Sequence, residues 1–307
     1  MKKVFIDGSA GTTGLRIAER LQTRKDLTLL SIDERFRKND DARREKMNQA
    51  DIVFFCLPDE AAKNALTLIE NDATAVIDTS TAHRTDPAWT YGFPELHGQR
   101  KTIQDATRIA NPGCHASGFI TLVRPLTDCG VLSPDTLLSC FSLTGYTGGG
   151  KKMIAQYESA DRPICYDAPR QYGLSQTHKH LPEMQQFSKL QNAPIFCPIV
   201  APFPTGMEVT VPIFASQTKA TIKELAEIYK QYYQDGLVRF ASSPDADGLL
   251  CANALSGTDR MEISVFGNEE RILLTARFDN LGKGASGAAI QNMNLLLGVD
   301  ETTGLIL

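Results

Sequence analysis

Of the seven cysteines in the chain, Cys114 is the one whose flanks point to reactivity. It follows Asn111, Pro112 and Gly113, and it precedes His115. Pro112 and Gly113 interrupt regular structure, while apolar Ala116, Phe119, Ile120, Val123 and Leu126 recur near helical spacing, so Cys114 falls in the first turn of a helix. Unpaired backbone N–H groups and the positive end of the helix dipole favour thiolate over thiol there, which makes a nucleophile. The other cysteines lack that setting. Cys56 and Cys140 lie in apolar runs and read as core, and Cys129, Cys165, Cys197 and Cys251 show no partner pattern.

A second reactive stretch is His178-Lys179-His180-Leu181-Pro182-Glu183. Two histidines two residues apart suit a general base, a phosphate contact or a pair of metal ligands, and a structural imidazole is the plain alternative for either. Metal is the poorest of these readings, because only His83, His97 and His115 remain as further imidazoles and no ligand spacing links them.

These groups need a frame. Residues 3–7 read as a buried strand, and the loop Gly8-Ser9-Ala10-Gly11-Thr12-Thr13-Gly14 follows it. A helix over 15–23 then carries Leu15, Ile17, Ala18 and Leu21. Three glycines at three-residue steps let the backbone approach a pyrophosphate, whose charge the helix N-terminus meets. A second strand, 27–32, runs into Asp33-Glu34-Arg35-Phe36-Arg37-Lys38, where a doubly wound fold reads the adenosine ribose. Acidic residues there select NAD and cations select NADP. Ser31 with Arg35, Arg37 and Lys38 outweighs Asp33, so NADP is the expected cofactor. Arg43, Arg44, Glu45 and Lys46 read as a solvated helix face. A strand over 51–57, a helix over 58–69 and a strand over 75–78 continue the alternation, which builds a parallel sheet with ligands at the carboxyl ends of its strands.

Beyond Cys114 the pattern changes. Residues 136–144, 207–214, 261–266 and 272–278 read as strands of a mainly antiparallel sheet, with helices over 222–234 and 287–297. The expected fold class is therefore α/β: an N-terminal Rossmann-type doubly wound domain and an α+β catalytic domain.

Composition narrows the function. With 307 residues, 42% of them hydrophobic, the chain can bury a core and form two domains. A net charge of −4 and no basic stretch interleaved with aromatics argue against nucleic-acid binding and for a small-molecule substrate. An odd cysteine count without CxxC spacing points to a reducing compartment, and the absence of a signal-like N-terminus or a long apolar run points to the cytoplasm rather than a membrane.

Taken together, NPGC at 111–114, the N-terminal glycine loop, YGFPEL at 91–96, TGYTGGGKK at 144–152, HKHLPE at 178–183 and GKGASGAAIQNMN at 282–294 resemble the shorter form of the N-acetyl-gamma-glutamyl-phosphate reductase family. That family is related to the aspartate-semialdehyde dehydrogenases. The resemblance covers nearly the whole chain. It implies NADPH-dependent reduction of N-acetyl-L-glutamyl 5-phosphate to N-acetyl-L-glutamate 5-semialdehyde with release of phosphate, in arginine biosynthesis. A related acyl phosphate such as aspartyl phosphate is the alternative substrate.

In that light Cys114 becomes a thioester-forming nucleophile and His180 the acid/base, with His178 the second choice. Gly149 and Lys151 become contacts for the leaving phosphate. Arg84 and Arg108 become partners for the substrate carboxylate, and His178 and Glu183 further substrate contacts. Gly8, Ser9, Gly11, Thr12, Thr13, Gly14, Ser31, Arg35 and Lys38 are expected at the cofactor, joined by Gly282 and Gly284 from the last glycine-rich loop. The resemblance also implies a cofactor domain over 1–113 completed by 286–307, whose C-terminal helix packs back on it. A catalytic and oligomerisation domain spans 114–285, and the assembly is a dimer or tetramer. The chain departs from the commoner form of the family at His115, where an aromatic residue such as tyrosine is expected.

Overall fold

The computed structural model describes residues 1–307. Two compact units divide the chain: Met1–Pro112 with Ala285–Leu305, and Gly113–Gly284 with Ile306–Leu307. The last two residues join the second unit because Asp259 and Ile306 exchange hydrogen bonds.

The first unit alternates strand and helix: β1 (Lys2–Asp7), α1 (Thr12–Gln22), β2 (Leu27–Leu30), α2 (Asp40–Gln49), β3 (Ile52–Phe55), α3 (Asp59–Leu66), β4 (Ala75–Asp78), β5 (Thr90–Tyr91), α4 (Gln99–Gln104) and β6 (Arg108–Ala110). Its six strands pair in parallel in the order β2-β1-β3-β4-β6-β5. β3 and β4 are buried along their whole length, as strands covered on both faces must be. Strand order reverses next to β1, so the carboxyl ends of β1 and β3 form the switch point where such sheets bind ligands.

The second unit holds α5 (Cys114–Asp128), β7 (Ser139–Gly145), α6 (Gly150–Glu158), β8 (Arg170–Gln171), α7 (Leu181–Phe187), β9 (Ile195–Ala201), β10 (Met207–Phe214), α8 (Ile222–Tyr232), β11 (Val238–Phe240), β12 (Met261–Gly267) and β13 (Arg271–Phe278). These strands form one mixed sheet, β11-β12-β13-β10-β7-β9-β8, in which the β7–β9 and β11–β12 pairs are parallel and the rest antiparallel. α5 packs on its inner face. Gly118 makes that approach possible, since a Cβ there would lie 2.5 Å from Val209 Cγ2. Pro125 inside α5 cannot donate to the Thr121 carbonyl, which accepts from the buried Tyr233 hydroxyl at 2.9 Å instead. The outer face of the sheet carries Phe141, Ile195 and Leu273, all exposed.

The chain returns to the first unit through α9 (Gly287–Leu297), which is buried along nearly its whole length. Its polar residues are spent on tying segments together: Gln291 donates to Glu95, and Asn294 donates to the Glu301 and Thr303 carbonyls. No helix is long and apolar enough to cross a membrane.

Candidate active site

In the first unit, the glycine loop turns at the end of β1. Gly8 has φ +89°, and a Cβ on it would stand 2.3 Å from the Cys56 carbonyl oxygen at the neighbouring carboxyl end. Gly14 is equally constrained, its Cβ position lying 2.4 Å from the Gly8 carbonyl. The Gly11 amide donates to that same carbonyl, and α1 starts at Thr12 instead of three residues later, so Thr12, Thr13 and Gly14 supply first-turn amides with no intrahelical partner. Thr12 Oγ1 is buried without a hydrogen-bond partner. A bare backbone cradle with an orphaned hydroxyl fits the pyrophosphate of a dinucleotide.

A pocket of about 520 Å³ adjoins the loop and is lined among others by Ser9, Ser31, Arg37, Lys38 and Arg43. Two expectations change here. Arg35 does not line the pocket: its guanidinium is exposed and turns back on Asp33 at 2.8 Å, which holds that carboxyl below its ordinary range. Arg43 is no solvated face residue, because it reaches inward to Asp7 at 2.7 Å and to Asp40 at 2.6 Å. Burial raises the Asp7 carboxyl while Arg43 pulls the other way.

Also in the first unit, Asn111 is held from every side. Its amide donates to Asp78 O, its carbonyl accepts from Arg84 Nε at 2.9 Å, its Nδ2 donates to Ala285 O, and its Oδ1 accepts from Asn292 Nδ2 at 3.2 Å. Asn292 also donates to Gly92 O, and a Cβ on Gly92 would strike Asn292 at 2.4 Å. The motifs around 91–96 and 282–294 thus meet at the residue that leads into the Pro112–Gly113 turn. The Arg84 guanidinium, expected at a substrate carboxylate, donates here to the Asn111 and Thr79 carbonyls. Arg108 opens β6 at the amino edge of the sheet and donates to the Thr74 and Thr107 carbonyls, whereas ligands of such sheets sit at the carboxyl edge.

In the second unit, Cys114 is the first residue of α5, capped by Gly113 in extended conformation. The buried Glu183, in the first turn of α7, accepts the Gly113 amide at 3.1 Å, and His180 Nε2 lies 4.0 Å from its other oxygen. His180 is itself buried at the N-cap of α7, and its amide donates to His178 Nδ1 at 3.2 Å. Glu183 therefore holds the backbone that leads into Cys114, with the His180 imidazole nearby. Glu183→Ala should leave the Gly113 amide without its acceptor, costing about 1–3 kcal/mol of stability. A melting curve that does not move would contradict this role.

His115 lies at the hub of a cluster, with ring centroids 5.5 Å from His180, 5.8 Å from His178 and 5.3 Å from Phe196. Its Nδ1 stands 2.7 Å from Ser142 Oγ and its Nε2 2.7 Å from the Tyr172 hydroxyl. Burial, and then His178, push its pKa down to about 3, so the ring is neutral at working pH. Tyr172 and Ser142 lie in stretches without motif character, and only the fold brings them to Cys114's neighbour.

Gly284 packs against Cys114, a Cβ on it falling 3.0 Å from Cys114 Cβ. Gly282 has a different reason to be glycine: the Thr258 carbonyl comes within 2.1 Å of its Cβ position, and its amide is taken by Asp279. It is a close backbone contact inside the second unit. Gly149 and Lys151 are exposed at the start of α6, where Thr147 and Asn280 fix the turn. No group of three or more His, Cys, Asp or Glu side chains is placed to hold a metal ion.

The chain is similar to known proteins along nearly its whole length. The family model described as "Semialdehyde dehydrogenase, NAD binding domain" matches residues 33–106, and "Semialdehyde dehydrogenase, dimerisation domain" matches 114–280. Aspartate semialdehyde dehydrogenase II from Vibrio cholerae, complexed with ASA, shares the fold with a TM-score of 0.73 at 19% identity, over 97% of this chain and 98% of that one. The Candida albicans aspartate semialdehyde dehydrogenase solved with NADP aligns with a TM-score of 0.70 at 13% identity, covering 97% and 99%. The N-acetyl-gamma-glutamyl-phosphate reductases of Brucella ovis and Brucella melitensis are each 47% identical over 306 residues, 96% of this chain and 99% of theirs. With that identity along almost its full length, the chain belongs to the N-acetyl-gamma-glutamyl-phosphate reductase family.

Proposed function

We propose that the chain reduces N-acetyl-L-glutamyl 5-phosphate to N-acetyl-L-glutamate 5-semialdehyde with release of phosphate, using NADPH, as a step of arginine biosynthesis. The observation that carries this reading is the junction at Gly113–Cys114: a cysteine first in a buried helix, its preceding amide held by Glu183, with His180 beside that carboxylate.

The Cys114 thiolate attacks the acyl carbon, so the C–S bond forms as the C–O bond to phosphate breaks and phosphate leaves. The first-turn amides of α5 stabilise the oxygen that becomes negative on the way. Lys151 and the Gly149 backbone meet the departing phosphate. NADPH, when bound, supplies the hydride that brings the thioester to the aldehyde level. His180 holds a proton for the tetrahedral oxygen and takes it back as the C–S bond breaks, returning Cys114 as thiolate. Gly8, Ser9, Gly11, Thr12, Thr13 and Gly14 hold the pyrophosphate, and Ser31, Arg37, Lys38 and Arg43 favour NADP over NAD.

Phosphate-dependent reduction of NADP by N-acetylglutamate semialdehyde tests the whole reading, and faster turnover of aspartate semialdehyde would overturn the substrate assignment. For the cofactor, Arg37→Ala with Lys38→Ala should raise KM for NADPH about tenfold and leave KM for NADH nearly unchanged. Equal effects on both would remove these residues from the ribose phosphate. The exposed Phe141, Ile195 and Leu273 on the outer sheet face support a homo-oligomer formed through the second unit. Seven free thiols suit a cytoplasmic setting.

A further inference from the structure

Three cations line the pocket beside the glycine loop, Arg37, Lys38 and Arg43, and only Arg43 is fixed from below. Lys38 is exposed, and Arg37 pairs at 2.8 Å with Glu34, which stands largely in water. The Arg43 side chain is 13% exposed, because it reaches from the first turn of α2 down to Asp7 at the end of β1.

A guanidinium carries five N–H donors in one plane. Asp7 takes one edge of this one: Nη2 donates to its Oδ2 at 2.7 Å, and Nε donates to the same oxygen at 3.2 Å. Asp40, three residues back on α2, takes Nη1 at 2.6 Å. One N–H is left on each terminal nitrogen.

The two carboxylates differ in what they can give up. The Asp7 side chain is 6% exposed and the Asp40 side chain 66%. A buried carboxylate that lost its cation would be left without solvent, so Asp7 keeps its hold. An exposed ion pair is weak, and Asp40 can turn to water at small cost. Charge balance points the same way. Arg37, Lys38 and Arg43 are matched one for one by Glu34, Asp7 and Asp40, so the pocket has no surplus positive charge with which to draw a phosphate. A phosphate seated on Arg43 must use its terminal nitrogens, and Asp40 is the anion already standing at one of them.

We propose that Asp40 is a specificity-determining residue for the cofactor: its carboxylate occupies the Arg43 guanidinium in place of a phosphate and is displaced when a dinucleotide phosphorylated on the adenosine ribose binds. Asp7 is the fixed side of the guanidinium and Asp40 the exchangeable side. A dinucleotide without that phosphate leaves all three residues as they stand. The ease of releasing Asp40 then sets how far the chain prefers NADP to NAD.

This exchange rests on the reading that the pocket takes NADP, and it is tested by binding alone, without substrate. Isothermal titration of the whole protein with NADPH and with NADH gives a ratio of dissociation constants. Asp40→Asn should tighten NADPH about three- to fivefold and leave NADH unchanged. Asp41→Asn is the matched control. It removes the same charge from the same turn of α2, so any loss of helix stability is common to the two variants. The Asp41 carboxylate pairs with Arg44 at 3.2 Å, and neither residue lines the pocket. Its ratio should equal that of wild type.

An unchanged ratio in Asp40→Asn overturns the inference. So does an equal rise in both variants, which would come from the field of a lost charge and not from a vacated guanidinium. A wild type that binds NADPH and NADH alike would count against the NADP reading, whereas a ratio that rises in Asp40→Asn alone would still support the exchange.

Discussion

Cys114→Ser is expected to lose at least about 10³-fold in the rate of phosphate-dependent NADP reduction by N-acetylglutamate semialdehyde. A serine hydroxyl in the same place is nearly isosteric, but its ionisation lies far above working pH. The helix N-terminus stabilises an anion by only about 0.3–2 kcal/mol, which is too little to generate an alkoxide. The thiol begins much nearer neutrality, so the same setting suffices for it. Cofactor affinity should survive, because the glycine loop and its pocket lie wholly within the first unit. Thermal stabilisation by NADPH should therefore match wild type while turnover collapses. A variant that keeps both its rate and its cofactor response would disprove covalent catalysis at this residue.

Gly8→Ala is expected to be the most damaging single-methyl change in the cofactor unit. At φ +89° an L side chain is strained, and the new Cβ would sit 2.3 Å from the Cys56 oxygen and 2.8 Å from its carbonyl carbon. Both are backbone atoms at the end of β3 and cannot swing aside, so the two carboxyl ends at the switch point must separate. Strain at such a position costs about 1–3 kcal/mol, and displacing the strand end adds to it. We expect a melting temperature lower by several degrees and a KM for NADPH raised by at least about tenfold. Gly11→Ala is the control. Its Cβ would lie 3.4 Å from the Gly8 carbonyl in ordinary contact and at no positive φ, so its stability should change little. Equal melting temperatures for the two variants would show that the cradle tolerates bulk.

The frame was legible because its signals are local. Glycine spacing announced the loop after β1, and the apolar stripe after Pro112–Gly113 placed Cys114 at a helix start, where α5 begins. The helix expected over 287–297 has those bounds. Strand ends were read too long at 27–32 and 51–57, since hydrophobicity continues past the point where ladder pairing stops, at Leu30 and Phe55.

Charged residues were read least well. A cation's type and position say that it can bind an anion, not which anion it meets. Arg35 turned back on Asp33 two residues away, Arg43 found buried Asp7, Arg84 took the Asn111 carbonyl, and Arg108 stayed at the amino edge of the sheet. In each case a partner inside the chain competes with the ligand, and the winner depends on which direction the backbone points the side chain.

By itself, the sequence determined the alternating first unit, the mainly antiparallel strands of the second, the glycine loop after β1 and the place of Cys114 at a helix start, because each is carried by spacing over a few residues. The tertiary structure alone decided which distant residues meet within each unit. Glu183 meets the Gly113 amide from 70 residues away, Tyr172 meets His115 from 57, and Asn292 meets Asn111 from 181. Such pairs leave no periodic trace. They form only when packing has buried polar groups that must then find partners in one another, as happens around Cys114.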